Sequence, residues 1–147
     1  MAAVDYFAIE EEIAEILRAQ LPETPVSVEE EMEFKAEATP RVFVYMEGIE
    51  SPAEMQRLRA GTQTRERLTF AIWCWTFAMQ VDEAIKQRNK LLGEVKVALM
   101  KHRTLNEKVE TSWLDGGVTP SARLPATAGF TAGAEVRLIA EVEVTTD

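Results

Sequence analysis

The chain has one cysteine, Cys74, and one histidine, His102, among 147 residues. A single cysteine excludes an internal disulfide and fits a reducing compartment. One of each excludes a His/Cys zinc site built within one chain. No apolar run reaches transmembrane length. The start, AAVDYFAIEEE after Met1, is acidic where a secretory leader would be basic, so no leader is expected. Bases are also scarce: 16 Lys and Arg stand against 25 Asp and Glu, for a net charge of −9. The deficit sits at one end. Residues 1–40 hold eleven acids and only Arg18 and Lys35 as bases, whereas the remainder is balanced. General affinity for nucleic-acid phosphates needs a basic face and is not expected here. There is no GxSxG, Walker A or HExxH pattern, so neither an enzyme nor a cofactor is expected. Cys74 lies in an apolar strand and reads as a small buried hydrophobe. His102 reads as a residue at a helix C-terminus, stabilised by the dipole.

What the chain does have is one long apolar strand running into one long amphipathic helix. LTFAIWCWTFAMQV is followed directly by VDEAIKQRNKLLGEVKVALMKHR. In the strand, predicted over 65–78, Leu68, Phe70, Ile72 and Cys74 point one way; Ala71, Trp73, Trp75 and Phe77 point the other. A small sheet normally covers one face with helices and wets the other. A strand apolar on both faces asks for a second cover, and a short chain has little left to supply it. That points to a partner subunit. In the helix, predicted over 81–102, Val81, Ile85, Leu92, Val95 and Leu99 form the expected buried stripe. Gly93 interrupts it at a cost of about 1 kcal/mol relative to Ala.

The other elements follow from periodicity and caps. Residues 6–21 are predicted helical, with Ile9, Ile13, Ile16, Leu17 and Leu21 at helical spacing and Asp5 as N-cap. Glu10 to Glu12 are placed near the positive end of its dipole. Pro22 and Pro25 end it. Residues 26–38 are ambiguous, with a broken strand pattern through Val26, Val28, Met32 and Phe34. RVFVYMEG at 41–48 is a strand. Ser51, Pro52 and Glu54 make a capping box for a short helix over 52–60. KVETSWLD at 108–115 and AEVRLIAEVEVTT at 134–146 are strands. Residues 115–133, rich in Gly, Pro, Ser, Thr and Ala, read as a long flexible loop. The order is α-β-β-(short α)-β-α-β-β in a single domain over 1–147. The expected class is α+β: an antiparallel or mixed sheet of about four to five strands with two main helices on one face.

Several clusters admit two readings. Glu29, Glu30, Glu31 and Glu33 lack the glycine and alternate spacing of a calcium loop, so no metal site is expected; they are a solvated rim or an acidic patch. Arg57, Arg59, Arg65 and Arg67 flank a turn between strands. They are either an interface cluster, since arginine is enriched in protein contacts, or a solvated surface paired with Glu54 and Glu66. Trp73 and Trp75, with Phe77, are either core or the aromatic anchors of a subunit interface. Arg123 and Phe130 sit in the 115–133 segment, read as an arm that orders on a neighbour or as a surface loop.

The layout resembles one family. IEEEIAEILRAQLPE, then RVFVYMEG, then RLTFAIWCWTF running into VDEAIKQRNKLLGEVKVALM, and finally a strand with Trp113 and AEVRLIAEVEVTT, are similar in architecture and spacing to the tail terminator, or tail completion, proteins of tailed bacteriophages. The similarity lies in arrangement rather than in a motif. The resemblance implies a structural virion protein: a hexameric ring on the last ring of tail tube protein, stopping elongation and presenting a surface to a head-completion or neck protein. Genomic DNA would pass through the lumen without specific binding, and the acidic residues would line the lumen or rim. No membrane partner is implied; assembly would take place in the host cytoplasm. Two alternatives remain from the residues: a head–tail connector or neck adaptor of a phage, and a soluble small-ligand-binding α+β domain.

Overall fold

A computed structural model describes residues 4–30, 40–50, 63–115, 119–120, 124–126 and 129–145. Helix α1 spans Tyr6–Gln20 and helix α2 spans Val81–Lys101. The strands are β1 (Val26–Val28), β2 (Arg41–Glu50), β3 (Gln63–Ala78), β4 (Thr111–Leu114), β5 (Thr119–Pro120), β6 (Leu124–Ala126) and β7 (Gly129–Thr145). The sheet runs β1-β2-β3-β7-β4, and β5 and β6 also pair with β7. Only β1–β2 is parallel among these pairs; the rest are antiparallel. The class is α+β: among the described residues, a mixed sheet of five principal strands and two helices.

The alternation of β3 decides what each face holds. Val42–Cys74–Ala134 and Val44–Ile72–Val136 are cross-strand rows, as are Phe70–Leu138 and Leu68–Ala140. These rows meet Ile9, Ile13 and Leu17 of α1 and Leu91, Val95 and Leu99 of α2 in one continuous core. Each such side chain contributes about 1.5–3 kcal/mol by leaving water. Helix α1 packs over β1 and β2, and α2 over β3, β7 and β4, so the two helices lie side by side on one face. The stripe of α2 is rotated from the expected one. Ala84, Arg88, Leu91, Val95, Ala98 and Leu99 are buried, while Val81, Ile85 and Leu92 are only half-buried. Alanines let the helix approach β7, whose own inward residues near that end are Ala132 and Ala134.

Asp5 caps α1 as expected, its carboxylate accepting from the Ala8 amide at 3.0 Å. The ambiguous stretch after it resolves, where described, to the short β1; the Glu29 amide then continues the pairing to the Val44 carbonyl. The short helix expected over 52–60 lies outside the described residues. The strand expected over 108–115 begins only at Thr111. Before it, Leu105, Asn106 and Glu107 adopt successive left-handed conformations, with φ of 48°, 54° and 68°. This turn buries Leu105 completely and lets the Asn106 amide donate to the Glu12 carboxylate at 2.5 Å. Those contacts offset a backbone cost of about 1 kcal/mol or more per residue.

The loop expected over 115–133 is corrected most. Its described residues extend a long hairpin, with β5 and β6 pairing against β7, which starts at Gly129 rather than 134. Ala126 pairs with Gly129 across a two-residue connection. Backbone pairing along β7 supplies what the weak strand propensity of this segment does not.

Candidate functional site

The face of the sheet turned away from α1 and α2 carries a second set of apolar side chains. Phe43 pairs with Trp73, Arg41 with Trp75, and Tyr45 with Ala71. Trp73 and Trp75 stack along β3, with ring centroids 5.9 Å apart and planes 14° from parallel. Phe43 and Tyr45 stack along β2 at 6.4 Å, and the Arg41 guanidinium lies 5.0 Å over the Phe43 ring. Such aromatic and cation–π contacts add about 0.5–1.5 kcal/mol each beyond area burial.

This face partly covers itself. Trp75 pairs with Gly133, and its indole lies flat on that residue: a Cβ there would sit 2.6 Å from the ring. Trp75 is only 6% exposed, and Phe43 is 1% exposed. Trp73, Tyr45 and Phe77 remain half-buried. The two readings of the tryptophans therefore divide between them. Trp75 belongs to a packed layer, whereas Trp73 keeps surface that a neighbour can cover.

The other end of the same face is a carpet of ion pairs. Arg65 meets Glu110 at 3.0 Å and Glu141 at 3.7 Å, and Arg67 meets Glu141 at 3.3 Å. Arg67 also lies 5.5 Å over the Trp113 ring. Arg137 bridges Glu135 at 2.8 Å and Glu47 at 3.6 Å. Arg65 and Arg67 thus have acidic partners within the chain, though not Glu66; Glu54 lies outside the described residues. Glu66 instead accepts from the Tyr6 hydroxyl at 2.5 Å on the helix side, and burial together with Glu66 pushes the Tyr6 hydroxyl up to about 12. Arg57, Arg59 and Arg123 lie outside the described residues. Phe130 is no part of a free arm: on β7, opposite Ala78, it packs with Ala84 and Ile85 of α2.

Of the predicted acidic rim, Glu31 and Glu33 lie outside the described residues. Glu30 is exposed and sits 3.8 Å from Arg41. Glu29 is exposed, with φ of 54° and its carboxylate accepting from the Met46 amide at 2.9 Å. There it meets Glu10, which is only 4% exposed. Burial, then a hydrogen bond to Glu29 and the nearby charges of Glu29 and Glu11, push the Glu10 carboxyl up to about 8. At neutral pH the Glu10 carboxyl therefore keeps its proton. Reading Glu10 as a dipole-facing acid missed this; its place on the Ile9–Ile13 side of α1 was the available signal. Cys74 is fully buried, which pushes its thiol up to about 12. No group of three or more His, Cys, Asp or Glu side chains converges as a metal site among the described residues. No described helix is long and apolar enough to cross a membrane.

Clefts border the described helices, among them one of about 440 Å³ between the start of α1, Lys108–Glu110 and Val142–Glu143, and two others. One, of about 450 Å³, opens between Leu21–Thr24 and the middle of α2, with Lys90 and Glu94 on its wall. The other, of about 230 Å³, lies between the last turns of α2 and β4, against Leu99, Met100, Arg103, Ser112, Trp113 and Leu114.

No family model matches the sequence, and no curated protein matches it. The fold recurs among solved structures, 34 chains of which match. One of them aligns over 96% of this chain and 94% of its own length, with a TM-score of 0.55 and 13% identity. Likeness at that identity shows a shared fold and nothing of function.

Proposed function

We propose that this chain is a structural assembly protein of a tailed-phage virion, a tail terminator that forms a ring on the tail tube. In this reading the ring stops tail elongation and offers a joining surface to a head-completion or neck protein. DNA passes through its lumen without specific binding. The observation that carries the reading is the aromatic layer on the face turned away from α1 and α2, where Trp73, Tyr45 and Phe77 stay half-buried. Aromatic side chains left partly open in a small domain are the residues that anchor protein interfaces. The arrangement of elements that resembles the terminator family is the second support.

Trp73→Ala tests the interface role. Trp73 gives up surface to a neighbour in this reading, so its loss lowers assembled mass by light scattering at constant concentration. The thermal midpoint of the unassembled chain falls by only a few degrees, as expected for losing about 1 kcal/mol. Equal loss of folding and assembly would assign Trp73 to the fold alone. Co-purification with headless tails separates a terminator from a neck adaptor.

A further inference from the structure

We propose that copies of this chain join head to tail, with Phe7 of one copy seated in the α2–β4 cleft of the next. The inference rests on the ring reading in requiring a second copy, and adds which surfaces meet.

The two surfaces belong to different helices. Helix α1 covers β1 and β2, one end of the strand order; α2 covers β7 and β4, the other end. On α1, Phe7, Glu11, Glu15 and Arg18 share the flank turned toward β1, a direction fixed by Arg18, which donates to the Val26 carbonyl at 2.8 Å. Glu12, on the opposite flank, reaches Asn106 beyond the end of α2. Phe7 stands 57% exposed on the outer flank. An aromatic ring held in water on a rigid helix is a ready anchor.

The α2 side offers the complement. Met100 is 58% exposed at the α2–β4 cleft, and Val97 stands exposed one turn before it. The cleft volume of about 230 Å³ accommodates one aromatic side chain. Gly93 lies on the same solvent side, and a Cβ added there would meet nothing within 4 Å. Among the described residues nothing needs the space that this glycine leaves, whereas a close-packed neighbour does.

Charge fits the same pairing. Arg18 serves both Glu15, at 2.6 Å, and Glu11, at 3.7 Å, which leaves the α1 flank net negative. Around the cleft, Arg103, Lys96 and Lys101 have no ion-pair partner among the described residues. An acidic flank with an aromatic knob meets a basic rim around an apolar cleft. Because the two surfaces differ, the contact is heterologous and propagates to a closed ring or a filament.

The experiment uses two variants of the full chain, Phe7→Ala and Met100→Glu. Both positions are exposed, so each variant keeps the wild-type far-ultraviolet spectrum and melting profile. Each alone is expected to sediment as a monomer. Phe7→Ala retains a cleft and Met100→Glu retains a knob. Their equimolar mixture is therefore expected to give a one-to-one complex of about 33 kDa, twice the 16.5 kDa chain, and nothing larger. Assembly of either variant at the wild-type mass would overturn this interface while leaving the ring standing. A mixture that stays monomeric would overturn it as well. Wild-type protein that is monomeric at every concentration would overturn both the interface and the ring.

Discussion

Replacing Glu10 by glutamine isolates the effect of one buried acid. Glu10 lies beneath α1, 4% exposed, with its carboxyl hydrogen-bonded to Glu29 and the Met46 amide on the far side of that carboxylate. Its pKa stands at about 8 in the fold against an ordinary 4.5. Below pH 4.5 both folded and unfolded chains hold the proton. From there to about pH 8 the unfolded chain gives it up while the folded chain keeps it, so stability falls as pH rises. Above that it is flat. At about 1.4 kcal/mol per pH unit, the gap caps the loss at about 5 kcal/mol. Glu29 is exposed as a residue and can swing toward water once Glu10 ionises, which reduces the expected loss to about 2–3 kcal/mol. Glutamine keeps a donor for Glu29 and has no proton to lose. Urea titrations at pH 5, 7 and 9 should therefore give Glu10→Gln and wild type nearly equal stability at pH 5. The variant should be more stable by about 2–3 kcal/mol at pH 9. A difference that does not change with pH, or a variant less stable at pH 9, would refute the reasoning.

Two further substitutions test the packing. Gly133→Ala drives a methyl into the Trp75 ring, 2.6 Å away, and is expected to cost about 1–3 kcal/mol and weaken the near-ultraviolet signal of the stacked tryptophans. Unchanged stability would mean that the indole moves freely. Gly93→Ala removes a flexible residue from an open helix position and should stabilise the unassembled chain by about 0.5–1 kcal/mol in denaturant titrations, while weakening assembly if a neighbour packs there.

Much of the fold is legible because β3 and β7 obey a strict period of two. That alternation placed Leu68, Phe70, Ile72 and Cys74 on the helix side, and Trp73, Trp75 and Phe77 on the other, and the cross-strand register keeps them there. Asp5 and the prolines bounded α1 for local reasons, which a sequence displays directly. What was not legible depends on distant partners. The 115–133 segment has the composition of a loop, yet its described parts gain hydrogen bonds from a strand that comes later in the chain. Gly133 looked like loop punctuation and is instead the floor under Trp75. Glu10 and Glu29 are nineteen positions apart, and nothing local marks them as neighbours. The α2–β4 cleft depends on the left-handed turn at Leu105–Glu107, whose residues carry no glycine to announce it.

The central claim is that this chain builds a ring, and its mass in solution tests that most directly. Sedimentation of the wild-type protein over a concentration series, with negative-stain images of the same samples, should reveal a closed particle of roughly six copies. A species that stays at the 16.5 kDa of one chain at every concentration would contradict the account.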